Sequence, residues 1–462
     1  MISGVHCHGG LRKALLPVGL LLIAACREEP IVPTDFNPDW TTASHSGNAK
    51  PNYALVYPQD SVNRMDIIMT TATWNAIRQD MIKVWGFDFG KPNRPCCGQY
   101  PPENATYEDV TVKFNGKIWK HVGFRPKGNL TLQTAWSAGN YKFPFRLKFD
   151  AFETTYEETW NQRLYGFKDF SAAAPVTDGS AIRDRLAYDQ FRAEGVAAPR
   201  SASYRVFIDF GQGLTYNGVY TFNELPEDTM IRDQFGDASG NIYKPESALH
   251  SFAEAEFPRQ DNKTSTDFSD VQTFIKALND TALQRTNRAQ WRANIEATFN
   301  VDNYLKFLAV NNAIVGWDGY GFIAHNYYLY NDPKKHLTWI PWDQDFDFND
   351  EPDVVGVLPR TTRAFSLTMN EIDNYWALVR YTMDDSVYFK SYKGYLRAFN
   401  NNVFTQERLN AAIDKYSRQI APFMIGPLGE IADHTWGYDP DQADFLKSYV
   451  ARRRATIDLF EK

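Results

Sequence analysis

The chain has 462 residues, of which 43% are hydrophobic and 15% aromatic, so it is long enough for two or three domains around a large buried core. Its formal net charge is −7 at pH 7. That charge argues against nucleic acid and against an anionic membrane surface as partners, because both require a basic face.

The first 25 residues have the pattern of a targeting signal. Arg12 and Lys13 precede an apolar run over residues 14–25, which is too short to cross a bilayer as a mature helix. The run ends in small residues followed by Cys26, which resembles a bacterial lipoprotein signal; an ordinary cleaved secretory signal is the alternative. The sequence thus predicts an envelope protein lipidated at Cys26, with a flexible tether over residues 26–52. Residues 27–29 resemble the charged tag with which some Gram-negative bacteria place lipoproteins on their surface, which implies the outer membrane or cell surface of such a bacterium.

Two further cysteines remain, Cys96 and Cys97. They are adjacent, and neither has a Cys or His at the spacing that a zinc site needs. A loop pair, which an oxidising compartment would allow to close as a vicinal disulfide, is the preferred interpretation.

Residues 53–224 carry the patterns of a mostly β half. In the predicted strand over residues 141–149, apolar residues alternate with Lys142, Pro144, Arg146 and Lys148, so one face is predicted to be buried and the other polar. The Asn115-Gly116 pair predicts a hairpin turn. The predicted elements are, in chain order, a strand at 65–69, a helix at 71–85, a hairpin of 109–114 with 118–124, the strand at 141–149, a helix at 180–194 and a hairpin of 204–210 with 218–222.

Residues 225–462 are mostly helical by pattern, with one hairpin. Helices are predicted at 268–278, 288–299, 302–316, 405–416 and 441–460. The order of the two halves predicts an α+β chain of two lobes, divided near residue 224, with a cleft between them.

The richest chemistry lies in residues 317–349, which hold five Asp, three Asn and two His among many aromatic residues. Two strand-like runs, 326–330 and 337–342, flank the turn signal Asn331-Asp332-Pro333. An antiparallel pair brings Asn326 close to Asp343 and Asp345, with Asp318 just upstream. Carboxylate and carboxamide oxygens converging at one end of a hairpin suit a hard cation. The alternative, solvated turn acids, is less favoured for Asp318, Asn326 and Asp343 because Trp residues surround them.

Three basic features upstream suit phosphate, although each has a plainer interpretation. Arg125 and Lys127 flank a loop with Gly128, which is either a phosphate cradle or a solvated hairpin tip. Lys142 is either a phosphate ligand or an exposed lysine beside the core. Asp184, at the start of a helix, either pairs with a lysine across the cleft or only favours the helix dipole. Together these features are the parts of a phosphoryl-transfer site.

The run from Val122 to about Asp347 resembles the CotH (spore-coat protein H) kinase family, a group of atypical secreted protein kinases. Spaced motifs in the family order carry this resemblance: 122–129 (VGFRPKGN), Lys142 with 146–149 (RLKF), 182–188 (IRDRLAY), 198–200 (APR), 217–220 (NGVY) with Glu224, 242–245 (IYKP), 325–330 (HNYYLY) and 340–345 (IPWDQD).

The resemblance implies a two-lobed kinase-like fold that uses ATP with Mg²⁺ or Mn²⁺ to phosphorylate Ser or Thr of extracytoplasmic proteins. It implies that Lys142 holds the nucleotide phosphates, with Asp184 as its helix partner. Arg125 and Lys127 would replace the usual glycine-rich loop, and Glu224 would lie near the hinge and the adenine. Asp318 would be the catalytic acid, Asn326 and Asp343 the metal ligands, and Asp345 a further candidate ligand.

Departures from ordinary protein kinases leave alternatives open. The Asp-Phe-Gly triplets at 88–90 and 209–211 precede the proposed catalytic acid, so they are interpreted as chance matches. Asp318 stands eight positions before Asn326, against about five in ordinary protein kinases. A catalytically inactive surface binding protein on the same fold, such as an adhesin or scaffold, is the second hypothesis. A metal-dependent hydrolase is the third, although it would not need the basic residues.

Overall fold

The computed structural model describes residues 39–91, 104–261, 263–351, 362–430 and 435–460. The predictions for the signal segment and Cys26, and those for Cys96 and Cys97, lie outside these residues. No helix of the described ranges is both long and apolar enough to span a bilayer.

A closed barrel of seven strands forms the first half. Its strand order is β1-β2-β3-β4-β5-β7-β6, and β1 closes it by pairing in parallel with β6 while the other neighbours are antiparallel. Fully buried aromatic residues such as Phe124, Phe145 and Phe222 fill the interior, as the two-residue alternation requires. The barrel strands are β1 (Asn63–Met69), β2 (Glu108–Phe114), β3 (Lys117–Pro126), β4 (Phe145–Lys148), β5 (Asp169–Ala173), β6 (Ser201–Phe210) and β7 (Thr215–Asn223).

Most of the α-helices follow the barrel strands in the sequence, and they pack around a second, larger hydrophobic core. The helices are α1 (Thr42–His45), α2 (Tyr53–Val56), α3 (Thr71–Trp85), α4 (Leu130–Ala138), α5 (Arg183–Ala193), α6 (Asp228–Phe235), α7 (Ser269–Leu278), α8 (Thr281–Thr286), α9 (Arg288–Glu296), α10 (Val301–Ile314), α11 (Ala377–Met383), α12 (Ser386–Asn402), α13 (Gln406–Met424) and α14 (Gln442–Phe460). The mixed α/β content with a sheet-rich N-terminal region therefore follows the sequence patterns, whereas the division into two kinase-like lobes stays a prediction.

A three-stranded antiparallel sheet lies among these helices. It consists of β8 (Ile242–Tyr243), β9 (Tyr327–Asp332) and β10 (His336–Pro341), in the order β10-β9-β8. The predicted hairpin of residues 326–342 is thus present, and β8 extends it on the β9 side.

Residues 39–52 correct the extent of the predicted tether. His45 is fully buried, with Nε2 2.8 Å from the Ile118 carbonyl and its ring stacked 4.2 Å from Trp119. The Arg163 N–H donates to the His45 carbonyl at 2.7 Å. Because these contacts fix the segment to the barrel, residues 39–52 do not act as a flexible spacer.

The predicted strand over residues 141–149 is shorter than its alternation suggests. Only Phe145–Lys148 pairs in the sheet, although Phe143 and Phe149 are buried as predicted. The polar face is wrong at Lys142, whose side chain is fully buried. The cause is the carboxylate of Glu430, which is distant in the sequence and forms an ion pair with Lys142.

Candidate functional site

The hairpin gathers the predicted acid and amide residues at one end. Tyr327 in β9 lies opposite Pro341 in β10. One step further, the Trp342 N–H donates to the Asn326 carbonyl at 3.1 Å. Asn326 and Asp343 both have left-handed backbone conformations, with φ of 62° and 57°. Such conformations are uncommon outside glycine and often occur at functional sites.

Asp318 reaches this place because α10 ends sharply. Val315 takes φ of 59°, an outlier for a β-branched residue, and the Gly316 N–H donates to the Asn311 carbonyl at 2.8 Å. A Cβ on Gly316 would lie 2.1 Å from Asn311 Oδ1, so any larger residue there would force the Asn311 side chain to move. The chain then turns Asp318 towards Asn326.

Two neighbours hold the Asp318 carboxylate. His325 Nε2 lies 3.1 Å from Oδ1, and Asn326 Nδ2 donates to Oδ2 at 3.3 Å and to the Asp318 carbonyl at 2.7 Å. Burial alone would lower the pKa of His325, but its hydrogen bond to Asp318 and the charges of Asp318, Asp343 and Glu246 raise it. The arrangement orients a carboxylate at the edge of a cavity.

Helix α5 fixes the loop that follows β10. The Asp343 N–H donates to Tyr188 Oη and the Gln344 N–H to Asp184 Oδ1, both at 2.9 Å. Asn223 Nδ2 donates to the other Asp184 oxygen at 2.8 Å. Burial, and next the charge of Asp343, raise the pKa of Asp184 to about 7. Asp184 therefore orders the loop that carries the predicted metal ligands.

A small polar cavity lies between these elements. Its lining includes Asp318, Asn326, Gln344 and Asp347. Asp347 Oδ2 and Gln344 Oε1 are buried without a hydrogen-bond partner. Burial, followed by the charges of neighbouring carboxylates, raises the pKa of Asp347 and of Asp345 well above the usual range.

Carboxylate and amide oxygens are the ligands that Mg²⁺ or Mn²⁺ prefers, and a bound cation would offset the cost of burying several carboxylates together. Within the described ranges, however, no three carboxylate, imidazole or thiolate groups already lie together at the distances that would hold one ion. The site therefore suits a hard cation because its candidate ligands are carboxylate and amide oxygens, and because two of these oxygens lack a hydrogen-bond partner.

Cations approach the acids from the barrel and from the small sheet. Lys127, which follows β3, lies close enough for its charge to act on Asp184. Lys244, which follows β8, is half-buried and feels the charge of Asp343. Arg125 Nη1 instead donates to Asn104 Oδ1 at 2.7 Å, and its guanidinium lies over Tyr107.

Lys142 does not join this cluster. Its Nζ lies 2.5 Å from Glu430 Oε1, and both side chains are buried, with exposures of 0% and 1%. The Val219 N–H donates to the same Glu430 oxygen at 2.8 Å. The expected pairing of Lys142 with Asp184 is therefore wrong in this conformation, because Asp184 bonds to Asn223 and Gln344 while Glu430 neutralises Lys142.

Glu224 lies at the point where the chain leaves the barrel after β7. Tyr53 Oη donates to Oε1 at 2.8 Å, and the Arg200 N–H donates to Oε2 at 3.1 Å. Burial raises the pKa of Glu224 to about 7 in spite of these bonds. Its position fits the predicted hinge, and its role towards adenine stays a prediction.

The sequence patterns missed several residues of the site. Lys244 and His325 stood within runs that carried the family resemblance, so a role for them could have been suspected. Tyr188 occupies the position one helical turn after Asp184, which is a usable signal. Glu430 had no signal, because it lies 288 residues from its partner.

Comparisons with known proteins assign the chain to a protein family. The family description "CotH kinase protein" matches residues 124–457, so the chain belongs to the CotH kinase family. This confirms the resemblance found in the sequence, and at the level of the family it supports a kinase-like enzyme.

Relatives from a fungus and from a bacterium share part of their sequence with this chain. Invasin CotH2 of Rhizopus delemar is 30% identical over 37% of this chain and 30% of its own length. Invasin CotH3 of the same fungus is 27% identical over 41% of this chain and 34% of its own. The chain thus spans about a third of the length of these two relatives. The inner spore coat protein H of Bacillus subtilis is 24% identical over 56% of this chain and 70% of its own.

Among solved structures, the proinflammatory kinase CtkA of Helicobacter pylori aligns with 65% of this chain and 92% of its own, at 11% identity. The TM-score is 0.31, and a score of that size does not establish a common fold.

Proposed function

We propose that the protein transfers the γ-phosphate of ATP to Ser or Thr hydroxyl groups of extracytoplasmic proteins, with Mg²⁺ or Mn²⁺. The observation that carries the proposal is the meeting of Asp318, Asn326 and Asp343 at one end of the hairpin, with Lys127 near enough for its charge to act on Asp184 and Lys244 near enough to feel the charge of Asp343. Phosphoryl transfer needs both sets, because cations must hold the phosphates while acids hold the metal and the acceptor. Membership of a kinase family supports this interpretation.

Asp318 would accept a hydrogen bond from the acceptor hydroxyl and orient it, since His325 and Asn326 already hold its carboxylate. Asn326, Asp343 and Asp345 would hold the metal ion. Asp347 Oδ2, which has no hydrogen-bond partner, adds a possible metal-ligating oxygen to which the sequence patterns gave no role. The ion would neutralise charge on the phosphates.

On the nucleotide side, Arg125 and Lys127 would contact phosphate oxygens from the barrel. Asp184 would act indirectly by holding the loop of Asp343 and Gln344. Glu224 would border the adenine between two kinase-like lobes. Lys142 keeps its expected role only in a conformation in which Glu430 has moved away.

A catalytically inactive surface binding protein is the second candidate. The sequestered Lys142 favours it, because the expected phosphate ligand is fully paired. Two relatives are named invasins and a third a spore coat protein. Both candidates agree with a protein of the cell envelope held by lipid at Cys26.

The deciding experiment is label transfer from γ-labelled ATP, with Mg²⁺ or Mn²⁺, to the purified chain and to a generic protein acceptor. The kinase proposal predicts transfer and thermal stabilisation by ATP. Asp318→Asn and Asp343→Ala should each lower transfer by at least a hundredfold. Asp332→Asn is the matched control, because Asp332 lies at the opposite end of the same hairpin. Absence of both transfer and stabilisation would leave the binding protein.

A further inference from the structure

Lys244 is placed by the small sheet at the same end as Asp343. Tyr243 in β8 lies opposite Leu329 in β9, so Lys244 follows at the level of Tyr328. Tyr328 in turn lies opposite Ile340 in β10, three residues before Asp343. The Lys244 N–H donates to the Pro258 carbonyl at 3.0 Å, which fixes the backbone.

Several charges meet around this ammonium group. Burial lowers the pKa of Lys244, the carboxylates of Asp343 and Glu246 raise it, and the cations Lys127 and Arg146 lower it. Arg146 is already paired with Glu227 and Asp169, so Lys127 and Lys244 are the two lysines whose like charges oppose each other near Asp343. A polyanion would relieve their repulsion, just as a divalent cation would relieve the repulsion among the acids.

Lys142 offers a contrast. It is fully buried and ion-paired with Glu430, whereas Lys244 is half-buried beside Asp343. An entering phosphate would have to break a buried ion pair to reach Lys142. A phosphate that reaches Lys244 would also feel the charges of Lys127 and of the proposed metal ligand Asp343, since both act on Lys244.

We infer that Lys244, together with Lys127, binds the phosphate oxygens of the nucleotide, the role that family resemblance gives to Lys142. The inference rests on the proposed function for the identity of the phosphate as that of ATP. The ammonium group holds a non-bridging phosphate oxygen as a point charge. Its contact lies on the acid-cluster side, where the transferred phosphoryl group must be.

The test uses Lys244→Met and Lys244→Arg in the full chain, with Lys334→Met as the control because Lys334 is an exposed lysine at the turn of the same hairpin. Thermal stabilisation by sodium tripolyphosphate, without metal, reads phosphate binding independently of activity. Lys244→Met should weaken binding of tripolyphosphate by tenfold or more, Lys244→Arg should retain part of it, and Lys334→Met should match the wild type.

In label transfer, Lys244→Met should raise KM for ATP, and Lys244→Arg should restore part of the loss. Tripolyphosphate binding that Lys244→Met leaves intact would overturn the inference, and so would a wild-type chain that binds no tripolyphosphate. A wild-type chain that binds tripolyphosphate through Lys244 yet transfers no label would refute the kinase proposal and leave the phosphate site standing.

Discussion

The buried pair of Lys142 and Glu430 gives the sharpest prediction about stability. Glu430→Gln removes the negative charge but keeps an oxygen that can accept the Val219 N–H. The change leaves the Lys142 ammonium group in a fully buried place without a counter-charge. Burial already lowers the pKa of Lys142 in spite of Glu430, so the loss of the carboxylate leaves only the unfavourable contribution.

Breaking a buried ion pair from one side costs about 3–5 kcal/mol, because the remaining charge keeps its desolvation penalty. Both side chains are at most 1% exposed, so solvent does not screen the loss. We therefore expect Glu430→Gln to lower the free energy of unfolding by about 3–5 kcal/mol. Adding Lys142→Met, which removes the orphaned charge, should recover most of that loss.

The measurement is urea unfolding followed by the fluorescence of the 12 tryptophans, for the wild type, both single variants and the double variant. A loss below about 1 kcal/mol in Glu430→Gln would refute the reasoning, because it would mean that Lys142 is solvated. If Lys142 instead binds nucleotide, Glu430→Gln should increase stabilisation by ATP, which the buried-pair interpretation does not predict.

Three further predictions concern particular contacts. Burial lowers the pKa of His45 from 6.5 to about 4, so at this residue the unfolded chain takes up a proton first as pH falls. His45 should therefore remove up to about 3 kcal/mol from the free energy of unfolding between about pH 6.5 and pH 4, and urea unfolding of His45→Gln at the same pH values should lack this contribution. Gly316→Ala should cost about 1–3 kcal/mol because its Cβ meets Asn311 Oδ1, whereas Gly394→Ala, with open space around it, should not destabilise the chain in the same assay. Tyr188→Phe removes the acceptor of the Asp343 N–H and should cost about 1 kcal/mol together with part of the thermal stabilisation by ATP and Mg²⁺; an unchanged response to ATP would contradict the positioning role of Tyr188.

Local patterns predicted the hairpin well because every determinant of it is local. The two strand-like runs and the turn signal between them lie within residues 326–342, and antiparallel pairing then fixes which ends meet. The strand β9 continues through Asn331 and Asp332, so the turn itself lies at residues 333–335, slightly later than predicted. For the same reason the helix at residues 71–85 was predicted with the bounds that the structure has.

The environment of Lys142 could not be predicted because its partner comes from residue 430, after α13. Alternation along residues 141–149 places Lys142 on a polar face, and only the packing of a distant segment turns that face inward. The contact of residues 39–52 with the barrel was missed for a similar reason, since a short polar segment has no periodicity yet buries His45 against Trp119.

By itself, the sequence determined the family, the order of a sheet-rich region before a helical one, and the meeting of Asn326 and Asp343 at one end of a hairpin. The tertiary structure alone decided which cations face those acids, because charges distant in sequence become neighbours only through packing. It brought Lys127 and Lys244 to the acid cluster and buried Lys142 against Glu430. Burial then decided the protonation tendencies of Asp184, Asp345 and Asp347, which no local pattern contains.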